Sequence, residues 1–197
     1  MKEMIRMVVV LTVLSCVSGG LLAKLRDETK EQIEVQELNL VKGPVIVQLM
    51  GDAENDPVAE RFKIMDGETE LSIFPGIYDG KPNTIAFEVI GTGFADKIGL
   101  MLAVNLDTDK LVGVGVTTSK ETPGLGANAK ADPSFAAQFK GLSMDKPFKV
   151  TKDGGEINAL SGATITSRGV CAAATDAEAV YSRIKPEIES KIKEMNK

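Results

Sequence analysis

Hydrophobic residues are spread very unevenly along the chain. From Met7 to Ala23 the run MVVVLTVLSCVSGGLLA holds 17 residues without a charge, which as a helix extends about 26 Å at roughly 1.5 Å per residue. Arg6 and Lys24 flank the run and can snorkel outward, so Met4 to Leu25 suffices to cross a hydrocarbon core of about 30 Å. Two other readings stay open. A cleaved signal peptide would use the small residues Ser18-Gly19-Gly20, although Leu21 and Leu22 continue the apolar run beyond them. A lipidated Cys16 would use the box Val13-Leu14-Ser15, although Val17 to Ala23 lacks the polar sequence that normally follows.

Residues 24–40 are polar and charged, which predicts a connector that is helical near the membrane and extended where Ile33-Glu34-Val35 begins to alternate. Gly43-Pro44 breaks it. Asp56-Pro57 within Asp52 to Lys63 has the chemistry of a helix start. Strand patterns then take over: Glu70 to Phe74 closed by Pro75-Gly76, and Thr84 to Ile90 closed by Gly91-Thr92-Gly93. Ile98 to Leu106 and Leu111 to Thr118 flank Asp107-Thr108-Asp109-Lys110 and read as a hairpin. In its second arm the valines 112, 114 and 116 share one face, and Gly113 and Gly115 leave the other bare, for a flat ligand or for a tightly packed neighbour. A Pro- and Gly-rich loop follows, then a short helix from Pro133 to Lys140, a strand at Phe148 to Val150 and a turn at Gly154-Gly155. From about Ser167 a helix carries Val170, Ala173, Ala174, Ala177, Val180 and Ile184 at helical spacing, and Lys185-Pro186 kinks or ends it. The fold class is α+β: a single N-terminal transmembrane helix over residues 1–25, then one domain over 26–197 with an antiparallel sheet, flanking helices and a C-terminal helix.

Composition narrows the chemistry. The 197 residues include no His, no Trp and 2 Cys, which excludes histidine bases, histidine-ligated metals and four-thiolate clusters. The net charge of −5, with no uninterrupted basic stripe, argues against nucleic acid. Lys2, Glu3 and Arg6 give the first 23 residues +1, so the rest carries −6 of the overall −5. The short basic N-terminus favours an N-in orientation, which places an acidic domain outside the cytoplasm.

Four segments offer candidate chemistry. Gly124-Leu125-Gly126-Ala127-Asn128-Ala129 matches a loose dinucleotide finger, but Pro123 stands where a strand should end and Asp132-Pro133 cuts the required helix short. Asp107-Thr108-Asp109 begins like a calcium loop, but Thr118 occupies the twelfth position, so a turn is the simpler reading. Glu121 is read as a solvated loop acid. The segment Ser161-Gly162-Ala163-Thr164-Ile165-Thr166-Ser167-Arg168 places hydroxyls around a Gly-Ala step just before a helix, with Arg168 as a cation. That suits either an anion site for a phosphate or a simple helix cap by Thr166 or Ser167.

Ser161-Gly162-Ala163-Thr164 with Ile165-Thr166-Ser167 resembles the flavinylation motif of a family of FMN-binding domains. That family includes the G subunit of the Rnf electron-transport complex and the C subunit of the sodium-translocating NADH:quinone reductase. The N-terminal anchor, the Gly91-Thr92-Gly93-Phe94 step, the loop Glu121 to Gly126 and the Phe135/Phe139 helix extend the resemblance, and chain length favours the Rnf G subunit. It implies FMN joined through its phosphate to Thr164 by a flavin transferase. Ser161, Gly162, Ala163, Thr166 and Ser167 would lie around the phosphate, and Glu121, Thr122, Gly124, Leu125 and Gly126 would edge the ring, with Leu125 touching it. It further implies an electron relay without catalytic residues or metal, on the extracytoplasmic side of the inner membrane. The partners would be the other membrane and peripheral subunits of a ferredoxin:NAD oxidoreductase that transports sodium ions or protons. The chain departs from the family where an acid is common (Asn158) and where a histidine is common (Ser119). The competing expectation is a membrane-anchored binding or assembly module of the same fold without flavin.

Overall fold

The computed structural model describes residues 2–195 and divides at Leu40/Val41 into two compact units. The first contains helix α1, Lys2–Glu37, with none of its residues buried. By length and composition it can cross a membrane. Ile33-Glu34-Val35, expected to be extended, is helical: three alternating residues do not break a helix already propagating. A π turn, Leu38–Lys42, follows.

The second unit is built on five strands, β1 (Phe62–Asp66), β2 (Thr69–Tyr78), β3 (Lys81–Thr92), β4 (Lys97–Asn105) and β5 (Lys110–Val116), paired antiparallel in chain order. The hairpin at Asp107 to Lys110 forms as expected, with Asn105 Oδ1 accepting the N–H groups of Asp107 (3.1 Å) and Thr108 (3.0 Å). Asp56 accepts the N–H groups of Val58 and Ala59, yet only turns follow before β1 begins, so the expected helix start is an isolated turn. β2 runs through Pro75-Gly76 with a bulge before Tyr78. Phe148 to Val150 is not a strand but a single bridge from Val150 to Ile157.

Register assigns each face of the sheet a helix. Ile85, Phe87, Val89 and Gly91 pair with Val104, Leu102, Leu100 and Ile98, and this face meets α5 (Thr164–Met195), whose Val170, Ala173, Ala174, Ala177 and Ile184 are buried with them. The opposite face carries Ala86, Met101 and Ala103, covered by α2 (Gly43–Met50) with Ile46 and Met50. Here the bare face of β5 finds its partner. A Cβ on Gly115 would lie 2.5 Å from Val45 Cγ1, and one on Gly113 would lie 2.9 Å from Leu49 Cδ2. The glycines therefore admit a helix, not a flat ligand.

α5 begins at Thr164, three residues before the expected start, and continues past Pro186. Ile188 and Ile192 remain buried beyond the proline, and their burial outweighs the lost backbone bond. Two short helices, α3 (Asn128–Ala131) and α4 (Pro133–Ala137), close the loop after β5, and Asp132 caps α4 through the Ser134 N–H.

Candidate functional site

Close backbone approach brings the start of α5 to the end of β3. Gly91 faces Ala173, and Gly169 lies against the Thr92 carbonyl, where any Cβ would be 2.2 Å from the oxygen. This contact sets the first turn of α5 beside the 93–96 turn and the loop 121–126.

Glu121 joins these three segments. It is 7% exposed, not the solvated acid expected. Its Oε1 accepts the Ala95 N–H at 2.9 Å and its Oε2 accepts the Thr166 hydroxyl at 2.7 Å. Burial alone would raise its pKa, but the hydrogen bonds from Thr166 and from the backbone N–H groups of Ala95, Phe94 and Asp96 outweigh it and hold the carboxyl below its ordinary value. Gly93 and Gly126 wall the carboxylate: a Cβ on either would lie within 2.4 Å of one of its oxygens.

The loop itself is a pair of tight turns. The Thr122 carbonyl accepts the N–H groups of Leu125 and Ala127, both at 3.1 Å, and Gly124 takes φ +73°, a left-handed conformation that suits glycine. Leu125 is directed at the neighbouring segment, its Cδ2 2.9 Å from where a Cβ on Gly162 would be. Gly162 is itself left-handed, at φ +72°.

The expected phosphate ligands separate into two groups. Thr166 and Ser167 are buried and serve the protein: Thr166 holds Glu121, while Ser167 Oγ accepts the Leu160 N–H at 2.9 Å and donates to the Ala163 carbonyl at 3.0 Å. Neither caps the helix, because both lie inside it. Arg168 forms a two-point pair with Asp153 at 2.6 and 2.7 Å and so is not a free cation beside the motif. Ser161 and Gly162 are exposed and Thr164 is half-buried. The residue before the helix is Ala163, among the poorest of caps because it has no side-chain acceptor. Its carbonyl accepts the Ser167 N–H at 3.0 Å, while the N–H groups of Thr164, Ile165 and Thr166 have no partner among the described residues. Three open amides, the positive end of a long helix and an unbonded threonine hydroxyl therefore belong to one turn, in which Ile165 is exposed, Thr164 half-buried and Thr166 buried.

Three exposed apolar side chains belong to these segments: Phe94 (66% exposed), Leu125 (44%) and Ile165 (54%). Phe94 and Ile165 are not among the residues expected around the cofactor, although an apolar residue just after a Gly or Thr that must stay at the surface is a usable signal. Asn158 binds Gln138, its N–H and Nδ2 reaching Gln138 Oε1 at 2.7 and 3.1 Å, which fastens the approach to the motif. Asp109, from the discounted calcium loop, accepts from Lys185 and Tyr181. The glycine finger of 124–129 opens only the single turn of α3. Burial pushes the Cys171 thiol up to about 12, so it stays protonated.

Residues 93–178 match the FMN-binding domain family, a span that contains all three segments of the site. The chain is 30% identical over 171 residues to the G subunit of the ion-translocating oxidoreductase complex of Methanosarcina acetivorans, covering 86% of this chain and 89% of that protein. It is 31% identical over 165 residues to the corresponding protein of Cereibacter sphaeroides, covering 79% and 74%. Among solved structures it resembles the C subunit of the Na+-translocating NADH-quinone reductase of Parabacteroides distasonis, with a TM-score of 0.59 and 21% identity over 77% of this chain and 94% of that one. The Shewanella oneidensis NqrC structure matches with a TM-score of 0.54 and 26% identity over 61% and 62%.

Proposed function

The chain belongs to the family of G subunits of ion-translocating oxidoreductase complexes, and from that premise we propose that it is a membrane-anchored flavoprotein whose FMN is esterified through its phosphate to Thr164. The observation that carries this reading is the start of α5. Thr164 presents an unbonded hydroxyl on a first turn whose amides are open, preceded by an alanine that cannot cap them. A helix that leaves its own N-terminus unsatisfied beneath an apolar rim has the donor set a phosphate requires and the surface a flat ring requires.

Attachment forms one P–O bond to Thr164 Oγ1. The hydroxyl proton is lost and the leaving group on the phosphate of an activated flavin donor is expelled, work assigned to a flavin transferase. The amides of Thr164, Ile165 and Thr166 then hold the phosphate oxygens, and the Ser161 hydroxyl and Gly162 backbone border them. Phe94, Leu125 and Ile165 exclude water from the ring. The side chains of Thr166, Ser167 and Glu121 keep that geometry rather than touch the phosphate. FMN, when bound, supplies electron transfer that needs no protein acid or base, which accounts for a site without histidine. Met4 to Leu25 anchors the chain in the inner membrane and residues 26–197 form the extracytoplasmic domain. There it relays electrons among the other subunits of a ferredoxin:NAD oxidoreductase that moves sodium ions or protons.

The test is a denaturing gel of the full chain coexpressed with a flavin transferase. A band fluorescent under ultraviolet light is expected from the parent and not from Thr164→Ala. Absence of flavin from the parent would leave a binding or assembly module of this fold; a fluorescent Thr164→Ala band would place the attachment elsewhere.

A further inference from the structure

The greatest concentration of buried polarity near Thr164 is not in any residue that faces the open turn. Glu121 is a buried carboxylate without a cationic partner in contact among the described residues: its ligands are the Thr166 hydroxyl and backbone N–H groups of the 93–96 turn. Ionising it there is favourable only because those donors are already aimed at it. Two glycines, Gly93 and Gly126, are spaced so that nothing larger than hydrogen separates their backbone from its oxygens. A separate tie at the root of this loop is Lys130 Nζ, which donates to the Thr117 carbonyl at 2.5 Å.

We propose that Glu121 is the positioning residue of the flavin site: its carboxylate locks the 93–96 turn, the 121–126 loop and the first turn of α5 into one cradle and does not itself bind the cofactor. The proposal rests on the flavin reading above only for what the cradle holds. Through Thr166 the lock orients the turn that bears Thr164, and through Ala95 it fixes the turn that presents Phe94. Glutamine at 121 can keep the geometry, its oxygen accepting from the backbone and its amide donating to Thr166 Oγ1. Alanine can do neither.

Two measurements on the full chain in detergent test this. The first uses amide exchange without flavin, at Leu160 and Ser167, whose acceptors are Ser167 Oγ and the Ala163 carbonyl and not Glu121. Glu121→Ala is expected to speed exchange there by roughly tenfold or more, and Glu121→Gln to restore protection. If Ala changes only the Ala95 amide, or if Gln fails as completely as Ala, the proposal is overturned. The second uses the flavin-loaded chain, where both substitutions are expected to raise the midpoint potential by removing a negative charge close to the site. An unchanged potential in both also overturns it. If the parent never acquires flavin, the reading of the site fails while the exchange result still decides the role of Glu121.

Discussion

Replacing Gly169 by alanine separates helix propensity from packing, because the two predict opposite signs. Gly169 lies in the second turn of α5, where alanine is favoured over glycine by about 1 kcal/mol in an isolated helix. In the folded chain the new Cβ would sit 2.2 Å from the Thr92 carbonyl oxygen, 3.1 Å from its carbon and 3.3 Å from Gly93 Cα. A relaxed C···O contact is about 3.3 Å, so the two backbones must part by about 1 Å, and no side-chain rotation can relieve it. Overpacking of this kind costs roughly 1–3 kcal/mol, and backbone against backbone places it near the upper end. Offset by the propensity gain, the net loss is about 2 kcal/mol, a fall in melting temperature of about 4–8 °C for a domain of this size. Scanning calorimetry of the full chain in detergent measures it. A melting temperature equal to or above that of the parent would refute the close approach of α5 to β3 on which the site is built.

Gly162→Ala is expected to lower stability by about 1–2 kcal/mol, because φ there is +72°, and chemical denaturation will show it. Leu125→Ala removes a side chain 44% exposed; stability should stay nearly unchanged while the fluorescence anisotropy of attached flavin falls. Glu121 has a depressed folded pKa, so its contribution is present above the unfolded value of about 4.3 and is lost as pH falls through the folded pKa. A melting series from about pH 5 to pH 3 should therefore decline less steeply in Glu121→Gln than in the parent.

The sheet was largely legible because its signals are local. β3, β4 and β5 alternate or run β-branched between strong turn residues, and Asp107 to Lys110 closes the hairpin. β1 escaped because Asp56-Pro57 carries genuine capping chemistry that the following residues do not extend into a helix. α2 escaped because Val45, Ile46 and Val47 carry no helical preference; it is a helix because Gly113 and Gly115 form the groove it fills. Pro186 marks a boundary in sequence, yet buried Ile188 and Ile192 carry α5 past it. The same division holds in the site. The motif around Thr164 reads as a unit within a few residues. The pairing of Glu121 with Thr166 across 45 positions, the removal of Arg168 to Asp153 and the inward turn of Ser167 depend on tertiary contacts that no local pattern encodes.

The function proposed for this site depends on Thr164 carrying the cofactor. Peptide mass mapping of the full chain, purified after coexpression with a flavin transferase, tests it most directly. The peptide containing Ser161 to Ser167 is expected to gain the mass of one FMN less one water, with fragment ions assigning it to Thr164. In Thr164→Ala, whose fold should be intact because the Thr164 side chain makes no hydrogen bond among the described residues, that gain should vanish. An unmodified peptide from the parent, or the same gain on another residue, would show that Thr164 is not the attachment site.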